Sequence, residues 1–327
     1  MFDIISIGTA TRDMFCIGTP FVEVESEKFK TLKGLCLSYG SKVELPNVLF
    51  TTGGAGTNAA VAFARAGFKT ACLSRIGSDP GGNAILDELE KEGVDSKYFQ
   101  IDKEKFTAYS IIFLTSEGER TILSYKGAGE HLSEKEIPWE EIKKTNWFYL
   151  DSLGGNKELL RQLLEFAKVH NIKIASNPGA RELKILKENK DWLKNYDIFT
   201  LNQEEASDLT RINYKNEKEI FDELDRLVGG VVVMTKGPRG AVVSDGKNRF
   251  SVGIFKEKKL IDRTGAGDAF ASAFVSGFIK TDGIEQSIKW GSANSTSVVE
   301  HIGAKEGILK EKDYQDERWQ NLEIVRA

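Results

Sequence analysis

The chain has 327 residues, 40% of them hydrophobic and 29% charged, which is enough apolar material for a large α/β core and too much for a disordered chain. A net charge of -4 without a Lys/Arg run excludes an electrostatic grip on a nucleic-acid backbone, and no stretch is long and apolar enough to cross a bilayer. Asp3 stands where a signal peptide needs basic residues, and Cys16, Cys36 and Cys72 are too scattered for a disulfide framework or a zinc site, so a cytoplasmic setting is expected.

Asp3 to Gly8 predicts a buried first strand with a polar exit, and Asp13 lies just past it. Phe15 to Val24 and Lys42 to Thr51 predict extended segments of a small accessory sheet. Thr52-Gly53-Gly54-Ala55-Gly56-Thr57-Asn58 then leads into an alanine-rich helix from Ala59, closed at Gly67. These glycines make either a tight turn or a bare backbone that a ligand can approach, with the Asn58 amide placed for hydroxyls. Strand Thr70 to Arg75 and a helix from about Gly82 to Glu92 follow, the helix with Ile85, Leu86 and Leu89 on one face. Phe106 to Phe113 and Arg120 to Tyr125 predict a hairpin around Ser116-Glu117-Gly118-Glu119, joining the accessory strands.

From Trp147 onward strands and helices alternate: strand Trp147 to Leu150, helix Lys157 to His170, strands Ile172 to Ser176 and Asp197 to Leu201, helix Lys218 to Val228, strand Val231 to Thr235. Such alternation builds a mostly parallel sheet covered by helices. Asp151, Asn177, Asn202 and Lys236-Gly237 each follow the carboxyl end of a strand, the edge where open α/β sheets bind ligands. Each could equally cap a helix or make a turn. The late stretch Ile261-Asp262-Arg263-Thr264-Gly265-Ala266-Gly267-Asp268-Ala269-Phe270 reads as an anion cradle opening a small-residue helix. Gly265 and Gly267 free the backbone so that N–H groups converge at the positive end of a helix dipole, and Asp268 falls in the first turn. A carboxylate there either takes the proton from an attacking hydroxyl or is an ordinary acid favoured at a helix N-terminus.

Neither G-x-x-x-x-G-K-[ST] nor an early G-x-G-x-x-G occurs. The Gly53 to Asn58 segment running to Gly67, together with Asp262 to Phe270, instead resembles the two signatures of the ribokinase (PfkB) family of carbohydrate and nucleoside kinases. Asn202-Gln203-Glu204-Glu205 resembles its Asn-x-x-Glu motif, and Thr235-Lys236-Gly237-Pro238-Arg239-Gly240 its nucleotide-side turn. The resemblance runs from residue 3 to about 305, leaving the tail after Lys310 outside it.

The resemblance implies a single ribokinase-like domain over 1–327: a three-layer αβα sandwich with a mostly parallel, doubly wound sheet. A small β-sheet lid, formed by about 14–51 and 106–126, would close over the site and exclude water. It implies ATP as donor, with Asp268 as general base and Gly265, Ala266 and Gly267 as anion hole. Asn202 and Glu205 would organise Mg2+ through its waters. Thr235, Gly237, Gly240 and Asn294 would face the nucleotide. Asp13, Gly53, Gly54, Asn58 and Asp151 would face the acceptor. Carbonyls near Asp262, Thr264 and Gly303 would suit K+, and lids of two copies would pair in a homodimer. Arg263 departs from the commonest pattern, which has Thr there.

The expected acceptor is a small, ribose-like sugar. A nucleoside is the alternative if Tyr109, Phe113, Tyr39 or Phe15 forms a slot for a base, and a sugar phosphate if Arg12 or Lys126 faces the acceptor. A non-catalytic sugar or nucleotide sensor is the reading from another class, opposed by the full set of Asp268, its glycines, Asn202 and Glu205.

Overall fold

The structure, a computed structural model, describes residues 1–29, 31–114, 120–281 and 283–326. Short apolar runs bounded by Gly, Asn and Asp become the strands of a nine-stranded sheet. Across it lie Ile324–Arg326, Arg249–Val252, Ala241–Ser244, Val231–Thr235, Ile198–Asn202, Lys173–Ser176, Thr145–Leu150, Phe2–Ile7 and Thr70–Leu73. The pairs from Thr70–Leu73 to Val231–Thr235 are parallel and the remainder antiparallel. Thr70–Leu73 and Ala241–Ser244 are buried at every position, as a sheet covered on both faces requires.

Alternation along each strand feeds two cores. Phe148 joins Leu163, Phe199 and Phe221 on one face, while Trp147 and Tyr149 join Phe63, Phe270 and Phe274 on the other. Each such buried Leu or Phe contributes about 1.5–3 kcal/mol. The helix Lys157–His170 shows how sequence sets an element: Asn156 accepts from Leu159 N at the start, Asn171 closes it at φ 54, and Leu159, Leu160, Leu163, Leu164 and Ala167 are buried. On the other face Ala266–Thr281 packs tightly on Ile284–Val298, a Cβ at Gly277 falling 2.9 Å from Ser287 Cα.

The first strand lies between Thr70–Leu73 and Thr145–Leu150, so the chain leaves it to one side and later returns on the other. The crevice at that reversal, outside the carboxyl ends of Phe2–Ile7 and Thr145–Leu150, is where such sheets bind ligands. Over it stands a four-stranded sheet, in the order Arg120–Tyr125, Ala108–Leu114, Thr11–Ile17 and Asn47–Gly53. The turn expected at Ser116 to Glu119 lies outside the described residues.

Several boundaries differ from the sequence reading. The extended run expected from Phe15 to Val24 breaks at Gly18, which has φ 72, and Val22–Glu25 pairs instead with Lys33–Cys36 in a separate hairpin. Residues 42–46 are not strand. The alanine-rich helix starts at Ala55, with Gly54 at φ 94 as N-cap, so Asn58 sits inside it. The helix Pro80–Lys91 starts earlier than expected because Asp79 caps it by accepting from Gly82 N. The tail after Lys310 belongs to the body: Tyr314 stacks on Trp290 at 4.1 Å, and Ile324–Arg326 forms the last strand of the sheet.

Candidate active site

Asp268 lies in the first turn of the helix Ala266–Thr281, partly exposed at the edge of the crevice. Asn58 Nδ2 donates to its Oδ2 at 2.9 Å and Asn177 Nδ2 to its Oδ1 at 3.2 Å. Burial raises the carboxyl above its ordinary value, and the two amides pull it back. Two donors fix the orientation of a group that has only acceptors when ionised. The turn before it could admit an anion. Gly265 has φ 78, and a Cβ there would come 2.4 Å from Ala304 Cβ, so glycine is required. A Cβ at Gly267 would meet nothing within 4 Å, leaving the first-turn N–H groups open to a ligand.

A cavity of about 360 Å³ adjoins Asp268, with Asp151, Asn177, Glu205 and Ser110 among its walls. Asp151 is 3% exposed; its Oδ1 accepts from Ser152 N at 2.7 Å while Oδ2, also buried, has no partner among the described residues. Burial, reinforced by the Asp268 charge, pushes Asp151 well above the carboxylate range.

The accessory sheet turns a polar row toward this region. Ser124 stands opposite Ser110, Ser110 opposite Asp13, and Asp13 opposite Thr51 in the strand register. Ser110 and Ser124 line the cavity, whereas Asp13 is buried one strand further in and hydrogen-bonds to Ser110. Its Oδ2 lies 2.0 Å from where a Gly53 Cβ would stand, so Gly53 is the seat of Asp13 rather than a ligand contact. Gly54 shapes the turn: a Cβ there would strike Thr9 O at 2.6 Å.

On the far side Asn202 and Glu205 form a capping box. Asn202 Oδ1 accepts from Glu205 N at 2.9 Å and Glu205 Oε2 accepts from Asn202 N at 2.7 Å. Asn202 pairs in register with Thr235, and Gly237 follows at φ 57 with open space where a Cβ would be. Asp262 is fully buried; its Oδ1 accepts from Thr264 N and Oγ1 at 3.0 and 2.7 Å and its Oδ2 from Gly303 N at 3.0 Å. The carboxylate thus ties together the two loops that carry the candidate cation carbonyls.

Two expectations need correction. Asn294 is 0% exposed, with Nδ2 donating to Ala269 O and Oδ1 accepting from Leu309 N, both at 2.8 Å, so it braces the core instead of facing a nucleotide. A Cβ at Gly240 would lie 1.9 Å from Val252 O, so sheet packing explains that glycine. Asn58 Nδ2 is shared with Asp268, while its buried Oδ1 has no partner among the described residues. Sequence reasoning saw Asn177 only as a polar strand exit, and passed over Ser110 and Ser124, whose alternation within an apolar hairpin was the available signal.

A carboxylate held at the mouth of a helix N-terminus, in a crevice of this topology, is the arrangement of an α/β phosphotransferase. The description "pfkB family carbohydrate kinase" matches residues 20–311, and the chain belongs to that family. It is a sugar or nucleoside kinase of a family that uses ATP. The ribokinase of Haemophilus influenzae is 29% identical over 271 residues, covering 80% of this chain and 85% of that protein. The ribokinase of Arabidopsis thaliana complexed with ribose and ATP has a TM-score of 0.77 at 19% identity, covering 98% of this chain and 99% of the other. The nucleoside kinase of Methanocaldococcus jannaschii matches with a TM-score of 0.77 at 21% identity and 98% coverage of each. These structures share the ribokinase-type fold, including the mostly parallel sheet described above.

Proposed function

We propose that this protein transfers the γ-phosphoryl group of ATP to a hydroxyl of a small, uncharged sugar. The observation that carries this reading is the wall of the cavity beside Asp268. Its described lining is rich in carboxyl, hydroxyl and amide groups and includes no aromatic side chain. Hydroxyl-rich acceptors are matched by such groups, and the purine or pyrimidine of a nucleoside has no ring to stack on. Phe15 is wholly buried, Tyr39 is fully exposed and Phe113 packs edge-on against Phe21 at 4.9 Å, which weighs against the nucleoside alternative. Glu130, Asp151, Glu205 and Asp268 outnumber Lys126 around the cavity, and Arg12 is turned away to Thr51 O, which weighs against a phosphorylated acceptor.

In this reading Asp268, held by Asn58 and Asn177, takes the proton from the attacking hydroxyl. The N–H groups of Gly265, Ala266 and Gly267 stabilise charge on the transferred phosphoryl oxygens. Asp151 and Ser110 orient the acceptor, with Asp13 behind Ser110. Thr235 and Gly237 bound the nucleotide side. Glu205 and Asn202 fit Mg2+, because Glu205 faces the cavity and this ion is usually held by few carboxylates plus water and phosphates. When bound, that ion neutralises phosphate charge. The tied carbonyl loops at Asp262, Thr264 and Gly303 fit K+. The four-stranded sheet, with the adjoining loops, serves as a lid inserted in a single kinase domain, and exposed Ile122 and Leu123 on its outer strand suit a homodimer. Among the described residues no helix is long and apolar enough to cross a membrane, and a cytoplasmic enzyme would have ATP at hand.

The test is ADP release from ATP and Mg2+ across pentoses, hexoses, sugar acids, sugar phosphates and nucleosides, with Asp268→Asn as control. Turnover with a neutral sugar, lost in the variant, supports the proposal. Turnover with nucleosides or sugar phosphates alone overturns the acceptor class, and sugar binding without turnover would favour a sensor.

A further inference from the structure

Gln203 follows Asn202 directly, opens the helix Gln203–Thr210 and is 5% exposed. A buried amide is costly unless it is hydrogen-bonded. Both ends of this one are, and to two different segments. Its Oε1 accepts from Arg239 Nη2 at 2.7 Å, and its Nε2 donates to Tyr214 O at 3.0 Å.

Arg239 ends the short turn Gly237–Arg239, which the backbone closes: Lys236 N donates to Gly240 O at 2.7 Å and Arg239 N to Lys236 O at 3.2 Å. The same Nη2 that reaches Gln203 also donates to the Tyr214 hydroxyl at 2.6 Å. A terminal guanidinium nitrogen carries two protons, so one group serves both acceptors. Tyr214 lies in the loop beyond Arg211, whose φ of 64 ends the helix. A second tie runs alongside: Lys236 Nζ donates to both carboxylate oxygens of Glu217 at 3.2 Å, at the start of the helix Glu217–Leu227.

These bonds fasten the turn to the helix that carries Glu205. The strand pairing between the two segments reaches Asn202 and Thr235, and beyond that register side chains hold the spacing. At Gly237 the turn keeps open space where a Cβ would be. A triphosphate lying between the turn and the capping box gains from a spacing fixed in advance, since ordering a loose loop on binding lowers affinity.

We propose that Gln203 and Arg239 are positioning residues for the phosphoryl donor: their hydrogen bond holds the turn Lys236–Gly240 at a fixed spacing from the Asn202–Glu205 capping box, so that the nucleotide meets a preformed site. This rests on the reading of Thr235 and Gly237 as the nucleotide side.

The test is calorimetric titration of the full chain with ADP and Mg2+, comparing wild type with Gln203→Met, Arg239→Met and the double variant. Each single change is expected to weaken ADP binding about tenfold, the low end for a hydrogen bond to a charged group, while KM for the acceptor found in the panel holds. Because the two side chains act through one contact, the double variant is expected to lose little more than either single one. Unchanged ADP affinity in either single variant, or losses that multiply to about a hundredfold in the double, overturns the proposal. So does an equal rise in the acceptor KM, which a general loosening of the fold would produce. If Gln203→Met does not fold, Tyr214→Phe takes its place in the cycle, since it removes the other acceptor of the same nitrogen: a shared loss supports the proposal, and no loss or a multiplied one overturns it. ADP affinity unchanged in Gly237→Leu, whose side chain enters the open face of the turn, would overturn instead the reading of that turn as the nucleotide side.

Discussion

Asn58 and Asp268, 210 positions apart in the chain, are joined by a hydrogen bond of 2.9 Å from the amide nitrogen to Oδ2. The glycine-rich turn after the accessory sheet and the glycine-rich turn before the late helix thus meet at one carboxylate. That contact gives the first prediction. Replacing Asp268 by Asn removes the proton acceptor while keeping the shape, so turnover should fall by roughly two to four decades. Melting and nucleotide binding should stay near wild type. Wild-type turnover in steady-state ADP release would remove Asp268 from the role of base.

Asn58→Ala removes one of the two donors that favour the ionised form of Asp268 against its burial. Hydrogen bonds to the charged form lower a carboxyl pKa, so their loss raises it, and a smaller fraction is ionised at a given pH. The acid limb of the kcat/KM profile should therefore move to higher pH, by about one unit for a charged hydrogen bond of ordinary strength. A profile that keeps its limb would show that the amide only packs.

Asp13 has an ordinary value of 3.8 and is lifted to about 6 in the folded chain. Between those values the folded chain holds a proton that the unfolded chain has released. The stability contribution of this group is full below the unfolded value and is lost as pH rises through the folded one. Asp13→Asn lacks that loss, so it should gain on wild type by on the order of 2 kcal/mol as pH rises from about 4 to about 7. Denaturant unfolding at both ends of that window checks the sign; an equal difference at both would refute it.

Gly265 and Gly267 separate shape from function. Gly265→Ala puts a side chain at φ 78 and 2.4 Å from Ala304 Cβ, and should cost about 1–3 kcal/mol of stability. Gly267→Leu enters open space, so its melting temperature should hold while phosphoryl transfer fails, because the side chain crowds the N–H groups. Paired thermal melts and ADP-release assays distinguish the two; equal melting losses would mean that Gly267 is structural as well.

Much of this was legible in the chain. Amphipathic periodicity with a cap at each end marks Lys157–His170, and strand–helix alternation marks the parallel sheet. Asp268, Asp151 and Asn202 stand out because polar residues directly follow apolar strands or a glycine turn, and Glu205 is marked only by the resemblance to the Asn-x-x-Glu motif. What sequence conceals is register and facing. Ser110 meets Asp13 and Ser124 only through strand pairing across separate segments. Asn294 was placed at the nucleotide by the resemblance alone, and its helix, rich in small residues and buried on many sides, has no clear polar face to correct that. Lys305, in a loop without periodicity, carries no mark of its burial, since lysine is ordinarily exposed.

The three side chains Asn58, Asn177 and Asp268 arrive from stretches that only the finished crevice brings together. No one of the three segments carries the geometry of the base alone, so a change that shifts any of them relative to the others misdirects the same carboxylate.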